Sequence, residues 1–456
     1  MVKLYAENIL IGSQWQENKT LSISSDGIIL SIDDGKDPFA DTLNGLVIPG
    51  MVNCHSHAFQ RAFAGYSEYR GNSQDSFWSW RDIMYRFVAK MTPEDAHHVA
   101  QFVYIEMLKA GYTSVAEFHY LHHQPSGQAY DDASEMSHQI INAASNSGIA
   151  LTHLPVLYSY AGFGNKKPSK GQARFIHKTD AYIRLIDSLN THYSKQTNFE
   201  LGIAPHSLRA VSHEQLNEIT NYISRLNPKA PIHIHIAEQL QEVNDCVSYY
   251  GKRPVEWLLE NFKLEDNWCL IHATHLSEQE ISDLAASDSV VGICPLTEAN
   301  LGDGIFPTES FTSKGGNFAI GSDSHISINV AEELRSLEYS QRLTSFQRAV
   351  LVDENCPSVG QYLYTKAARD GAKSINQKVG QITVEKRADL LVLDNQHPSL
   401  LCKKESQILD AAIFACNQLP VKDVYVAGKP IIKAGQHLLQ DSSFENYKSV
   451  LARLNN

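Results

Sequence analysis

Long apolar runs are missing from this sequence. None approaches the roughly 18 residues that a membrane-spanning helix needs, so no membrane span is expected. Positive charge is also in short supply. With 39 Lys and Arg against 51 Asp and Glu, the formal charge of -12 argues against non-specific nucleic-acid binding. An anionic small molecule would have to be held by locally placed arginines. No glycine-rich fingerprint follows the first central strand candidate, which removes the signature of dinucleotide binding. Internal repeats and low-complexity tracts are absent as well. The cysteines number seven, an odd count scattered mostly through apolar stretches, which suits reduced core thiols better than a disulfide framework. The chain opens on Met1-Val2-Lys3-Leu4-Tyr5-Ala6-Glu7, which leads straight into strand-like sequence, and a cytoplasmic location is the expectation.

What is present is the composition of an ordinary globular protein. A hydrophobic content of 43%, a charged content of 20% and a mean hydropathy of -0.28 supply a real core and no sign of disorder. The length of 456 residues fits a large α/β barrel carrying an extra module. Strand candidates at 47–53, 113–118, 149–157, 199–205, 231–237, 268–272, 290–294 and 318–322 alternate with helical patterns such as 93–110 and 332–343. Eight strands with helical connections predict a (β/α)8 TIM-type barrel over 48–380, with an open doubly wound sheet as the alternative. Short strand patterns at both ends are expected to form one small β-sandwich module from residues 1–47 and 381–435, followed by a helical tail at 436–456. The stretch Gly164-Asn165-Lys166-Lys167-Pro168-Ser169-Lys170-Gly171 reads as a solvated basic loop on the catalytic face, with a lid that attracts anions as the sharper alternative.

The chemistry sits at the strand ends. Val47-Ile48-Pro49-Gly50-Met51-Val52-Asn53-Cys54-His55-Ser56-His57 reads as a buried strand with two imidazoles at its C-terminal end. Alternation points His55 and His57 the same way, so both could grip one zinc-like cation. In a chain with 20 His, one such pair is weak evidence. The fifth central strand adds His233 and His235, then Glu238; the sixth ends on His272, and the eighth on Asp323. Barrel active sites lie at these C-terminal ends.

This constellation resembles the amidohydrolase superfamily of metal-dependent barrels. The resemblance implies that His55, His57, His235 and Asp323 bind the metal. Members with two metals also use a Lys or carboxylate, commonly at the end of strand four. Here that end, Ala204-Pro205-His206-Ser207-Leu208-Arg209, carries neither, so one divalent ion is expected, with zinc first and iron or manganese compatible. His235-Ile236-Ala237-Glu238 is similar to the deaminase branch, which gives Glu238 the proton shuttle and leaves His272 and Asp323 to orient and deprotonate water. The stretches His55 to Ala62, Cys294 to Gly304 and Gly321 to His325 look like enzymes that remove ammonia from N-formimidoyl-L-glutamate in histidine degradation. That substrate carries two carboxylates. Arg209, just past strand four, offers the fork that binds one bidentately. The resemblance adds Gln60, Arg81, Tyr120 and His206 as companions, although without it Arg81 reads as a surface arginine beside Asp82. His233, His275 and His325 are read as structural or orienting, and no role is assigned to His119, His122 and His123. The expected partner is a small dicarboxylate, with no nucleic acid or membrane, and homodimerisation is left open. Two other readings stay open: an aminohydrolase of a guanine-like or other amidine, and a non-catalytic binding barrel.

Overall fold

A computed structural model describes residues 1–68 and 77–455. The chain begins with four strands, β1 (Val2–Ile11), β2 (Gln14–Ile23), β3 (Ile29–Asp34) and β4 (Asp41–Pro49). The central strands are β5 (Met51–Ser56), β6 (Tyr112–His119), β7 (Ala150–Leu157), β8 (Phe199–Leu201), β9 (Ala204–Pro205), β10 (Ile232–Ile236), β11 (Trp268–His272), β12 (Val290–Ile293) and β13 (Asn317–Ile320). Four more, β14 (Leu390–Leu393), β15 (Val421–Val426), β16 (Lys429–Lys433) and β17 (Gln436–His437), precede a helix at Gln440–Asn455. Among the described residues, no helix is long and apolar enough to cross a membrane.

The strands from the two ends interleave in one sheet, ordered β17-β16-β15-β14-β4-β1-β2-β3. β14 runs antiparallel to β4, with Leu390 opposite Pro49 and Leu393 opposite Leu46. Leu4, Ile9, Leu21, Val47, Leu390 and Val392 form their own buried cluster there. The central strands are parallel in two runs, β5 to β8 and β10 to β13. Backbone bonds cross both gaps between the runs. His233 N–H reaches Ile203 O (3.1 Å) and His235 N–H reaches His206 O (3.0 Å); on the other side, Asp323 N–H reaches His55 O (3.0 Å). β5, β6, β7, β10 and β11 are buried along their whole length, as expected where helices cover a parallel sheet. Helices such as Pro93–Ala110, started by a capping box at Thr92 and Asp95 and stopped by left-handed Gly111, do the covering.

The apolar run at 47–53 proves to be two strands in two sheets. Pro49 has no N–H for a ladder and ends β4, with its carbonyl taken by the Tyr364 hydroxyl (2.7 Å). Gly50 then donates to Asp389 O (2.9 Å), and a Cβ there would lie 2.2 Å from Thr113 Oγ1, so only glycine passes. The strand that carries His55 is thus anchored directly to the terminal sheet. The 199–205 run is likewise divided into β8 and β9.

Candidate functional site

β5 delivers His55 and, one residue past its end, His57; β10 delivers His235. The three Nε2 atoms converge, at 3.1 Å between His55 and His57 and 3.0 Å between His55 and His235. His57 Nδ1 lies 2.8 Å from Phe118 O, which makes Nδ1 the protonated nitrogen and leaves Nε2 a bare lone pair. Lone pairs aimed at one point repel unless a cation lies between them. A proton is a poor candidate, because burial, reinforced by neighbouring histidines, holds His55 and His235 well below the usual imidazole range. Burial also pushes His57 down to about 3. Neutral imidazoles are the metal-binding form. Asp323 Oδ1 stands 3.5 Å from His55 Nε2 and 3.4 Å from His57 Nε2, on the same side. The donor set therefore fits a divalent cation held by three nitrogens and a carboxylate. His235→Ala is expected to weaken metal binding beyond the roughly 10- to 100-fold typical of losing an outer hydrogen-bond partner. Competition against a chelator would measure this; unchanged affinity would remove His235 from the ligand set.

Beside this cluster, His272 sits among three carboxylates. Its Nδ1 is 3.1 Å from Glu298 Oε1, and its Nε2 is 3.8 Å from both Glu238 Oε1 and Asp323 Oδ2. Burial alone would lower its pKa, but Glu238, Glu298 and Asp323 together lift it to about 10. Burial raises Asp323 to about 7, against the pull of His272. His272 is thus a charged donor between the carboxylates. Several strand ends here take left-handed backbone without glycine: Ala237 (φ 51°), His272 (φ 70°), Asp323 (φ 46°) and His325 (φ 57°). Such angles cost of order 1–3 kcal/mol each and cluster where a site dictates the backbone.

A single cavity is lined by His57, Gln60, Arg81, Tyr120, His206, Arg209, His235, Glu238, His272 and Asp323, so all the sequence-derived site residues but His55 border it. His55 lies beneath them, fully buried. Gln60 Nε2 donates to the Tyr120 hydroxyl (2.8 Å), and Arg81, on the helix Phe77–Val88, lies over the Tyr85 ring at 5.7 Å. The Arg209 guanidinium makes no hydrogen bond or ion pair among the described residues. Burial would lower its pKa, yet Glu242, Tyr158 and Glu238 hold it above the ordinary value. His119, His122 and His123 stay outside this cavity; His122 and His123 are taken up by the carbonyls of Val156 (3.0 Å) and Ile176 (2.8 Å). His233 is bonded to Ser374 O (2.7 Å). His325 bridges the hydroxyls of Ser56 (3.1 Å) and Ser322 (3.0 Å). Lys166, Lys167 and Lys170 of the basic loop are exposed.

Several contributors escaped the sequence reading. Glu117 accepts from the Ser56 hydroxyl (2.5 Å) and the Ala58 N–H (2.8 Å), clamping the chain on both sides of His57. Glu298 orients His272 while accepting the Cys294 N–H (2.9 Å). The aromatic wall of Trp80, Tyr85, Tyr158 and Phe175 was also unassigned. For the glutamates, the available signal was a lone acidic residue inside an apolar stretch.

Residues 46–431 match the amidohydrolase family. The chain belongs to that family. Over 455 residues it is 46% identical to a formimidoylglutamate deiminase of Pseudomonas aeruginosa, covering 100% of both chains. It is 27% identical to a 5-methylthioadenosine/S-adenosylhomocysteine deaminase of Halalkalibacterium halodurans, over 90% of this chain and 87% of that one. Among solved structures, an amidohydrolase from Brucella melitensis superposes with a TM-score of 0.94 at 42% identity, covering 100% of both chains. An adenosine deaminase from Xanthomonas campestris with bound zinc gives 0.82 at 20% identity, over 100% of this chain and 98% of that one, a likeness of fold. Amidohydrolase membership agrees with strand-end histidines meeting a strand-end aspartate.

Proposed function

We propose that this amidohydrolase hydrolyses N-formimidoyl-L-glutamate to N-formyl-L-glutamate and ammonia, a step of histidine degradation. The observation that carries the substrate is Arg209, a charged guanidinium on the cavity wall without a protein partner among the described residues. A substrate carboxylate completes it, and Arg81, which lines the same cavity, serves the second carboxylate. The 46% identical deiminase supports the same assignment.

A divalent ion held by His55, His57, His235 and Asp323, with zinc the first expectation, supplies Lewis-acid activation of water at neutral pH. We keep the count at one, because the strand-four end offers His206 and Arg209 but no bridging Lys or Glu. Asp323 takes the proton of the attacking water, with His272 donating to hold that water in line. Glu238, whose Oε1 lies 3.8 Å from the same His272 Nε2, delivers a proton to the substrate nitrogen, so that ammonia leaves. Gln60, Tyr120 and His206 fix the chain of the substrate between the two sites.

We also read the central strands, with β8 and β9 counted as one, as a closed (β/α)8 barrel, supported by the bonds across both gaps, and the terminal sheet as folded over into a sandwich. Supporting the latter, Ile29 N–H on the edge strand β3 bonds Lys386 O (2.9 Å), next to β14.

Stoichiometric release of ammonia and N-formyl-L-glutamate is the expected result when the metal-loaded protein meets formimidoylglutamate. Formamide and free glutamate would instead show that the other C–N bond is cut. The aromatic wall of Trp80, Tyr85, Tyr158 and Phe175 is what a purine-type aminohydrolase would use, so methylthioadenosine is the control substrate, expected to release no ammonia.

A further inference from the structure

Where β10 ends, the chain turns left-handed at Ala237 and would leave two backbone donors facing the protein interior. Both are taken by one side chain. Glu242, in the first turn of the helix Leu240–Tyr250, accepts the Ala237 N–H (3.2 Å) and the Glu238 N–H (3.4 Å). A glutamate at a helix N-terminus is commonplace on a surface, where the helix dipole favours it. Glu242, however, is only 4% exposed, and a buried carboxylate is retained only with partners. Burial pushes the Glu242 carboxyl up to about 7, against the pull of Arg209 and of the two N–H groups; it closes no ion pair with Arg209, whose fork stays open to the cavity. Glu242 itself does not line that cavity.

We propose that Glu242 is a positioning residue that fixes the backbone of Glu238 from the first turn of the helix that follows β10. This rests on the role proposed above for Glu238. Losing the clamp lets Glu238 drift, and misplacement of about 1 Å can cost on the order of a hundredfold in rate.

The test uses Glu242→Gln and Glu242→Asp in the metal-loaded full chain. Gln keeps the size but loses the charge and one acceptor: kcat should fall by about tenfold or more, with KM and metal content unchanged. Asp falls short of the two N–H groups, so kcat should stay low there too. A rise in KM with kcat at the wild-type level would overturn the proposal. A readout independent of substrate is amide hydrogen exchange, which should quicken at Ala237 and Glu238 in both variants. Unchanged exchange there would overturn the clamp whatever the enzyme acts on, whereas faster exchange in a protein inactive on formimidoylglutamate would sink only the substrate reading.

Discussion

Glu238→Gln is expected to lower kcat by about 10²- to 10⁴-fold, the usual contribution of a positioned acid or base. Glutamine matches the shape of Glu238 and can keep its place 3.8 Å from His272, but it cannot hand a proton to the departing nitrogen. Glu238 is not among the converging donors, so the metal content should remain at the wild-type level. Ammonia release at saturating substrate, paired with metal analysis of the same sample, separates the two outcomes. A variant turning over at close to the wild-type rate would take the proton shuttle away from Glu238. Loss of metal alongside loss of rate would instead make it part of the ion's support.

Arg209→Met is the second large effect. If the guanidinium pairs with a substrate carboxylate, its removal buries that carboxylate without a partner, a loss of roughly 3 to 5 kcal/mol. At 1.36 kcal/mol per factor of ten, kcat/KM should fall at least about a hundredfold. Lysine should recover only part of this, because a point charge cannot reproduce a two-pronged contact. Arg209 touches none of the converging donors, so metal content should again hold. Near-normal kcat/KM in Arg209→Met would return the purine-type reading to contention and make the aromatic wall the specificity element.

The convergence of the candidate ligands was legible in the sequence because strand alternation is a local rule: His55 and His57, two residues apart, had to point together, and His235, His272 and Asp323 each closed an apolar run. Arg209 could be read for the same reason. What was not legible is contact across the fold. Glu117, Glu242 and Glu298 look like any acidic residue until Ser56, Ala237 and His272 are brought against them, and only the first of these pairs involves two central strands that are neighbours. The division of the 47–53 run was signalled by Pro49-Gly50, but which sheet each half would join depends on Leu390 to Leu393, far along the chain. Arg81 shows the opposite limit. Its place beside Asp82 is compatible with a surface residue, and only the packing of its helix carries it to the cavity.

The junction at Pro49 also imposes an order in time. β4 is held between β1, which precedes it, and β14, in which Leu390 pairs with Pro49. At about 5 to 20 residues per second of synthesis, roughly 20 to 70 s separate the two. For that interval β4 presents one unpaired edge, the kind of surface on which nascent chains associate wrongly. The strand bearing His55, joined to β4 through Gly50, has its footing incomplete for as long. The candidate ligand strand thus rests on a sheet that the chain's beginning starts and only its end completes.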